Sequence, residues 1–538
     1  MVIALGTTAR LAGLEVALGS AAIMLIVKAL PFSLRDTVAE AGEGLRALRR
    51  TWSTDPAVHR VTLGLVLLLA VALRLHYLDQ PMRYDESTTF LRFAFRPFPA
   101  AISDYSFPNN HIFHTLLVWL VTRVLGNAPW EIRLPALAFG LLLVPATYVA
   151  GRVLAGRRPA LFAAALCAVW PWLVLFSTNA RGYTLIALGF VVLILLANRL
   201  ATTSSPVLWI AFGLITGIGM FTAPVMLYPA GAAAVWILVE RERRGGRAAT
   251  IRVLPKWGAS IALAGLITVA GYLPVLVKSG ADPLVGNRFV TPVSADGLVQ
   301  GLTALASSLP LTLGLDISVP VAGGLLVLAL LAFFHRGIDR GRLAALGITV
   351  VAWCVLVLLA TRRVPPTRVG LFLVPLCCIN IGAGAAWLTD TLSASLRLDQ
   401  ENAIGLAALV MAAGIGWKTF TNDGILASAE TGAFRDAPDV ASYLLSRIGD
   451  EDRVVILQLS APSLDYYLLT RGGHRLSDFT SASRQREVIL VVNDQEENLG
   501  ELHTTRRDVP WEEYERPTLL RAFPHSSVFI LPARQPGQ

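Results

Sequence analysis

The sequence is dominated by a succession of long apolar segments that are separated by short polar or basic turns. A helix needs about 20 mostly apolar residues to cross the hydrocarbon core of a membrane. In lipid, only helices and closed barrels satisfy every backbone polar group. We therefore predict a polytopic α-helical membrane protein with about 12 transmembrane helices. The candidate spans are residues 11–30, 60–78, 134–152, 159–177, 183–199, 207–223, 225–240, 257–277, 317–335, 343–361, 369–388 and 403–420.

The composition agrees with a lipid environment. Hydrophobic residues make up 54% of the 538 residues and charged residues only 15%, whereas soluble domains carry about 25% charged residues. The four cysteines all lie within apolar runs, which predicts small buried hydrophobic side chains and not a disulfide framework or a metal site. These cysteines are Cys167, Cys354, Cys377 and Cys378.

The distribution of charge predicts the orientation of the spans. Lys and Arg accumulate in cytoplasmic loops, and here they cluster at residues 46–60, 152–158, 199, 241–256 and 336–342. If these loops are cytoplasmic, the direction of the chain alternates without error and the segment after the last span lies outside. That segment, from Thr421 onward, carries 12 Arg and 18 acidic residues, which gives it a net charge of −6. Because the whole chain has a net charge of +9, the rest of the chain carries +15. This pattern argues for basic cytoplasmic loops and against a nucleic-acid-binding surface.

Two apolar segments are treated as parts of outer loops. His111–Leu125 is short for a span and spaces its polar residues like an interfacial helix, so we place it in a large outer loop at 79–133. Gly297–Leu315 belongs to a later outer loop by the same argument. The alternative, that either segment crosses the membrane, remains open. The first span is predicted to be a retained anchor, with a cleaved signal peptide as the alternative.

The predicted domains follow from these patterns. Residues 1–59 form an amino-terminal anchor helix and a basic cytoplasmic segment, and 60–420 form the transmembrane domain. From 421 to 538 the hydrophobicity falls and short β-rich runs alternate with helical stretches, which predicts a soluble extracytoplasmic α/β domain. The β-rich runs begin at Val454, Val488 and Val528.

The first outer loop carries the most informative polar residues. Asp85 and Glu86 lie only a few residues beyond the span that ends near residue 78. Such a pair on its own would be a solvated turn. Its neighbours favour a binding site instead, because further polar residues flank the loop and precede the interfacial helix. These predicted substrate-binding residues are Arg74, Asn109, Asn110 and His111.

Positive charges also occur on the predicted outer side, where loops usually lack them. Arg181 precedes Tyr183 at one outer turn, and Arg362, Arg363 and Arg368 lie at a later one. A guanidinium group binds phosphate through two parallel N–H donors, so an anionic ligand would explain these positions. We predict that all five residues bind phosphate or substrate.

Two runs of this sequence resemble the amino-terminal module of the GT-C superfamily glycosyltransferases. They are RLHYLDQPMRYDE, at 74–86, and the segment from PNNHIFHTL to NARGYTL, at 108–185. The shared features are the acidic pair, the interfacial helix, R-L-P at the next span, the G-R-R turn and a terminal A-R-x-Y. Within the superfamily the likeness is to the protein O-mannosyltransferase and aminoarabinose–lipid A transferase branch, which is glycosyltransferase 39-like.

The resemblance implies an inverting glycosyltransferase that uses a polyprenyl-phosphate-linked sugar on the outer face of the cytoplasmic (inner) membrane. The acceptor would be a glycolipid, a polysaccharide or a protein, and 60–420 would be the catalytic domain. By the same resemblance Asp85 is the catalytic base, and Glu86 is its supporting neighbour. The turn 177–183 lacks the acid with which several relatives help to bind a metal. No cofactor is therefore certain, and Asp85 and Glu86 are the predicted ligands if a divalent cation is used.

Two alternative functions remain. A multi-pass transporter or lipid flippase would line its path with buried charges and often shows two related halves, but this sequence shows no internal repeat and places most charges in loops. A catalytically inactive relative that acts as a scaffold is the other alternative. The large outer loop, the acidic pair and the outer domain favour the enzyme, whose partners are the lipid-linked donor, the acceptor and membrane lipids, with no nucleic acid.

Overall fold

The structure is a computed structural model, which describes residues 24, 26, 28–31, 33–286, 290–312, 319–335, 337, 339–421, 423–449, 452–479, 487–495, 497–532 and 534. The described chain is mostly helical, with a small sheet near its carboxyl end. Its first helices are α1 Leu34–Thr54, α2 Ala57–Leu78, α3 Tyr84–Thr89, α4 Phe98–Ser103, α5 Ile112–Val124, α6 Pro129–Leu154, α7 Arg157–Val169, α8 Pro171–Ser177, α9 Tyr183–Leu200 and α10 Pro206–Thr222. The later ones are α11 Leu227–Ser279, α12 Asp282–Val285, α13 Ala295–Thr312, α14 Val319–Leu331, α15 Arg340–Thr361, α16 Val374–Ser395, α17 Gln400–Thr421, α18 Ala437–Leu445, α19 Ala461–Gly472 and α20 Leu499–Thr505.

Seven of the described helices are long and apolar enough to cross a membrane, or eight if the bent pair α7 and α8 forms one span. The bend between these two helices is 56°, and it falls at Pro171, whose missing N–H and ring prevent a continuous helix. The predicted spans 207–223 and 317–335 coincide with α10 and α14, which are apolar but shorter. The predicted span 11–30 lies largely outside the described residues.

One long helix accounts for two predicted spans. α11 covers 257–277 and all but the first two residues of 225–240, and it is interrupted at Gly246, which has φ 68°. Only glycine adopts such a left-handed conformation without strain. The indole Nε1 of Trp257 donates to the backbone oxygen of Ala234 at 3.0 Å, so the two arms of α11 pack against each other as a hairpin.

The core of the helical part is built around α7. Every residue from Pro159 to Val169 is buried, and alanine predominates there, which permits close packing of neighbouring helices. Gly382 on α16 shows how close this packing is, because a Cβ at that position would lie 2.5 Å from the backbone oxygen of Pro159. The result is a compact bundle that fixes the ends of its helices, where the loops begin.

The first outer loop folds into short helices. α3 is followed by one π-helical turn, Phe90–Ala94, and then by α4 and α5. α5 has 13 residues, about 20 Å of helix, which is too short to cross a hydrocarbon core of about 30 Å. α13 has 18 residues and is not among the seven candidate spans.

The carboxyl-terminal segment contains a four-stranded sheet in the order β1-β2-β4-β3. β1 and β2 are parallel, and the other two pairs are antiparallel. The three predicted β-rich runs correspond to β1, β2 and β4. β3 was not predicted, because it is largely exposed and lacks a continuous apolar run. The division into residues 1–59, 60–420 and 421–538 stays a prediction. The strands are β1 Arg453–Ile456, β2 Val488–Asn493, β3 Thr518–Ala522 and β4 Ser526–Leu531.

Candidate active site

A cavity of about 530 Å³ lies at the end of the bundle where α2 leads into the first outer loop. Its wall combines that loop, the turn before α9, the turn after α15 and the start of the carboxyl-terminal segment. Residues that are far apart in sequence therefore meet around one space. The predicted site residues in this wall are Asp85, Asn109, His111, Arg181, Tyr183, Arg363 and Arg368.

Asp85 lies in the first turn of α3 and is 7% exposed. Its backbone oxygen accepts hydrogen bonds from Asn109 Nδ2 at 2.8 Å and from Thr89 Oγ1 at 2.9 Å, which fix the backbone. Within the described residues no group donates a hydrogen bond to its carboxylate, which interacts electrostatically with Arg368. A carboxylate held in this way on a cavity wall can accept a proton from a bound hydroxyl.

Glu86, although adjacent, has a different environment. It is fully buried, and its Oε2 accepts from Arg133 Nε at 3.0 Å and from the backbone N–H of Ala180 at 2.8 Å. Its Oε1 accepts from the backbone N–H of Arg83 at 3.1 Å and forms an ion pair with Arg133 Nη2. The sequence predicts that Glu86 belongs to the catalytic pair, but in the structure Glu86 does not line the cavity, and both of its oxygens are engaged. A cation that used Glu86 as a ligand would have to displace Arg133.

Arg181 supplies positive charge to the cavity. It is 3% exposed, and its Nη1 donates to the backbone oxygen of Asn109 at 2.7 Å and to Thr89 Oγ1 at 2.9 Å. Within the described residues it forms no ion pair, and its Nε has no hydrogen-bond partner. A buried guanidinium without a counter-ion is costly, so this position favours an anionic ligand.

His111 is held neutral beside that charge. Its Nδ1 accepts a hydrogen bond from the backbone N–H of Gly182 at 3.0 Å. Burial, together with the nearby Arg181, holds the pKa of His111 well below its usual range. Gly182 is required by close approach, because a Cβ there would lie 2.5 Å from Thr222 Cγ2 and 3.1 Å from His111 Nδ1. The glycine of the R-G-Y sequence thus brings the turn before α9 against the outer loop.

Arg368 joins the cavity wall to the carboxyl-terminal segment. Its Nε donates to Tyr183 Oη at 3.0 Å, and its Nη1 donates to the backbone oxygen of Glu430 at 3.2 Å. The Nη1 also forms an ion pair with Glu430 Oε1 at 3.3 Å. Arg368 is therefore oriented towards the cavity by a tyrosine on one side and by an acidic residue on the other.

Three predicted residues lie away from this cavity. Arg74 is fully buried among helices and donates to Ser177 Oγ at 3.0 Å and to the backbone oxygen of Ala168 at 2.7 Å, which is a packing role. The Asn110 side chain donates to backbone oxygens at Ala101 and Asp104 and so shapes the loop itself. Arg362 is exposed, with φ 52°, and its backbone oxygen accepts from the N–H of Val293 at 2.8 Å. The structure does not bring these three side chains to the site.

The carboxyl-terminal segment forms part of the cavity wall, a contribution that the sequence did not predict. The backbone N–H of Tyr84 donates to the Gly432 oxygen at 3.1 Å, and Arg83 Nη1 donates to the Ser428 oxygen at 2.8 Å. Gly432 has φ 68°, and a Cβ there would lie 2.6 Å from Tyr84 Cβ, so both its conformation and its contact require glycine. No pattern in the sequence indicated Glu430 or Gly432. The R-L-P motif contains Arg133, but the motif does not indicate that Arg133 pairs with Glu86.

The two residues predicted to hold a divalent cation lie in different environments. In the part of the chain that the structure describes, no three His, Cys, Asp or Glu side chains are grouped as metal ligands. Of the two predicted ligands, only Asp85 faces the cavity. The other carboxylate in the cavity wall belongs to Glu430, which is paired with Arg368.

Comparisons with known proteins agree with this architecture. A family model described as dolichyl-phosphate-mannose-protein mannosyltransferase matches residues 109–272. The crystal structure of ArnT from Cupriavidus metallidurans in the apo state is similar with a TM-score of 0.55 at 14% identity, over 87% of this chain and 97% of that one. The same protein bound to undecaprenyl phosphate gives a TM-score of 0.55 at 14% identity, over 88% of this chain and 98% of that one. A comparison with curated proteins finds no match.

These findings confirm the predicted resemblance to GT-C superfamily glycosyltransferases. The matched segment 109–272 begins at Asn109 in the cavity wall and includes Arg181 and Tyr183. The likeness to ArnT extends the shared fold over most of the chain. The apolar helices, taken with this fold, identify a multi-pass membrane protein.

Proposed function

Because this chain has the fold of the GT-C glycosyltransferases, we propose that it transfers a sugar from a polyprenyl-phosphate donor to an acceptor with inversion at the anomeric carbon. The observation that supports this most directly is the cavity wall, in which the Asp85 carboxylate faces the same space as Arg181 and Arg368. One wall thus holds a group that can take a proton and groups that can bind a phosphate. The acceptor class is a glycolipid, a polysaccharide or a protein.

The chemistry is a single displacement. An acceptor hydroxyl gives its proton to Asp85 while its oxygen bonds to the anomeric carbon of the sugar. The bond between that carbon and the phosphate oxygen breaks on the opposite face, and polyprenyl phosphate leaves with the electron pair. Arg181 and Arg368 stabilise the negative charge that develops on the leaving phosphate, and preorganised donors of this kind often supply the largest part of catalysis.

The position of the cavity suits a lipid-borne donor. Its lining includes Val357 at the end of α15, Leu227 at the start of α11, and Val369, all at ends of membrane helices. The charged residues come from the loops. A phosphate could therefore reach the arginines while its polyprenyl chain stays in the lipid. The ArnT structure with undecaprenyl phosphate supports a lipid of this class, since the two folds correspond over most of both chains.

We also propose that the cavity and residues 421–538 lie on the outer face of the cytoplasmic membrane, with about 12 spans in total. Thr504 is exposed on α20 and Arg49 is exposed on α1. We expect Thr504→Cys to react with an impermeant thiol reagent in intact spheroplasts, and Arg49→Cys to react only after lysis. The reverse pattern would contradict this orientation.

A reconstituted assay tests the reaction itself. The purified protein in lipid nanodiscs is given polyprenyl-phosphate-linked sugars, and we expect acceptor-dependent release of polyprenyl phosphate. Mass spectrometry of envelope glycans from cells with and without the protein identifies candidate acceptors. If the wild-type protein moves the lipid-linked sugar across proteoliposome membranes without cleaving it, the transporter alternative replaces the enzyme.

A further inference from the structure

Glu430 occupies one donor, Nη1, of the Arg368 guanidinium that the proposed reaction needs. Its Oε1 lies 3.3 Å from Arg368 Nη1, and Thr367 Oγ1 donates to both of its carboxylate oxygens at 3.2 and 3.3 Å. Glu430 also lines the cavity. A carboxylate and a phosphate compete for guanidinium donors, so an anionic ligand that binds Arg368 through Nη1 would compete with Glu430.

The segment that carries Glu430 is anchored on both sides. Before it, the Ser428 oxygen accepts from Arg83 Nη1 at 2.8 Å, and after it the Gly432 oxygen accepts from the Tyr84 N–H at 3.1 Å. The backbone is therefore fixed close to Asp85, while the Glu430 side chain, 21% exposed, can turn away from Arg368. A fixed backbone with a movable carboxylate is suited to exchange with a ligand and not to a permanent structural ion pair.

We propose that Glu430 is a positioning residue that exchanges with the lipid phosphate at Arg368 and returns to that arginine to expel polyprenyl phosphate after transfer. This inference rests on the proposed function. The product is a phosphate monoester with about −1.5 to −2 charges at neutral pH, and the donor is a diester with one charge. The product would therefore bind the arginines more tightly than the donor, and a returning carboxylate counteracts that retention.

The test measures binding without requiring turnover. Farnesyl phosphate, a short polyprenyl phosphate, serves as the probe, and uncharged farnesol serves as its control, with the full-length protein in nanodiscs and titration calorimetry as the measurement. We expect Glu430→Gln to bind farnesyl phosphate about tenfold more tightly than wild type, because one competing charge-assisted interaction is lost. Farnesol affinity should not change. With a working assay, Glu430→Gln should also show a lower kcat together with a lower donor KM.

Two variants separate competition from a general change of charge. Asp423→Asn removes one negative charge from the same segment at a side chain that is 72% exposed and paired with Arg435, and it should leave farnesyl phosphate affinity unchanged. In an Arg368→Ala background, Glu430→Gln should lose its effect, because no guanidinium remains to compete for. If Glu430→Gln does not fold, Thr367→Val removes a hydrogen bond to the carboxylate and should tighten binding about twofold.

The outcomes distinguish this inference from the function on which it rests. If folded wild-type protein binds farnesyl phosphate no better than farnesol, the proposed function fails and the inference fails with it. If wild type prefers the phosphate but Glu430→Gln and Thr367→Val bind it no more tightly, the proposed function stands and the exchange role is wrong. Equal tightening by Asp423→Asn would also overturn the exchange role.

Discussion

The two ends of the helical bundle use charge in different ways. At the end where α2, α7 and α17 begin, acidic and basic side chains neutralise one another. Glu401 lies 2.8 Å from His59, 2.6 Å from Arg157 and 2.8 Å from Arg158. At the opposite end Glu86 pairs with Arg133 and Glu430 pairs with Arg368. Asp85 and Arg181 face the cavity there, and among the described residues neither takes part in an ion pair. Paired charges hold a structure together, whereas charges left without partners retain the capacity to bind and react.

The same contrast recurs between two adjacent residues. Glu86 is enclosed by Arg133 and backbone N–H groups, and Asp85 accepts no hydrogen bond on its carboxylate from the described residues. One peptide bond therefore separates a structural carboxylate from a candidate catalytic one. The difference arises because successive residues of a helix are rotated by about 100°, so the first turn of α3 presents one side chain to the cavity and the next to the protein interior.

The largest effect is expected at Asp85. Asp85→Asn keeps the shape of the side chain but cannot accept the acceptor's proton, so turnover should fall about 100- to 10,000-fold. Binding of the lipid-linked donor should persist, since the arginines are unchanged. Turnover and donor affinity are measured on the same preparation. Near-normal turnover by folded Asp85→Asn would show that Asp85 is not the general base and would favour a scaffold or transporter.

Glu86→Gln should lower the free energy of unfolding of the protein. Loss of its charge leaves Arg133 buried without a counter-ion, and breaking a buried ion pair costs about 3–5 kcal/mol. Thermal unfolding in detergent measures this cost. Glu131→Gln is the matched control, because Glu131 is also buried but, among the described residues, forms no ion pair and accepts from the backbone N–H of Ala128 at 2.6 Å. If both variants unfold alike, the Glu86–Arg133 pair has no special structural role.

Arg368→Ala should weaken donor binding by about 10- to 100-fold, which corresponds to one charge-assisted hydrogen bond of about 1.5–3 kcal/mol. Acceptor binding should change much less. Arg362→Ala is the control on the same turn, because Arg362 is exposed and outside the cavity wall. Donor titrations of the two variants provide the comparison, and equal losses would show that the turn acts through its overall charge.

The smallest effect is expected at the paired end of the bundle. Glu401→Gln weakens contacts with partly exposed arginines, and such pairs contribute about 1 kcal/mol or less. Its unfolding temperature should fall slightly, and turnover should not change. A loss of turnover comparable to that of Arg368→Ala would mean that the two ends of the bundle are coupled.

Sequence patterns predicted a mostly helical chain with several apolar spans because lipid imposes a strict length and composition on a span, and seven or eight of the described helices meet those limits. They also drew attention to Asp85 and Arg181, which lie near the ends of predicted spans and which the structure places in one cavity wall. They failed where the answer depends on direction within a turn. Asp85 and Glu86 look alike in sequence, and Arg362 and Arg368 look alike, yet only one of each pair faces the cavity.

The contribution of Glu430 was inaccessible from sequence for another reason. It follows the last membrane helix and reaches the outer loop only because the chain folds back across the end of the bundle. The exposed strand β3 was missed because its burial pattern lacks the alternation that marks a strand. Local patterns of hydrophobic and polar residues do not predict contacts between distant segments or strands without a buried face.

The part of the cavity wall formed by Glu430, Thr431 and Gly432 has a consequence for synthesis. The ribosome makes Asp85 early, but the cavity is closed only by residues that emerge after α17. A nascent chain that already carries its membrane helices therefore still lacks one side of the pocket. The order of translation would in this way delay the appearance of a finished site until the polypeptide is nearly complete.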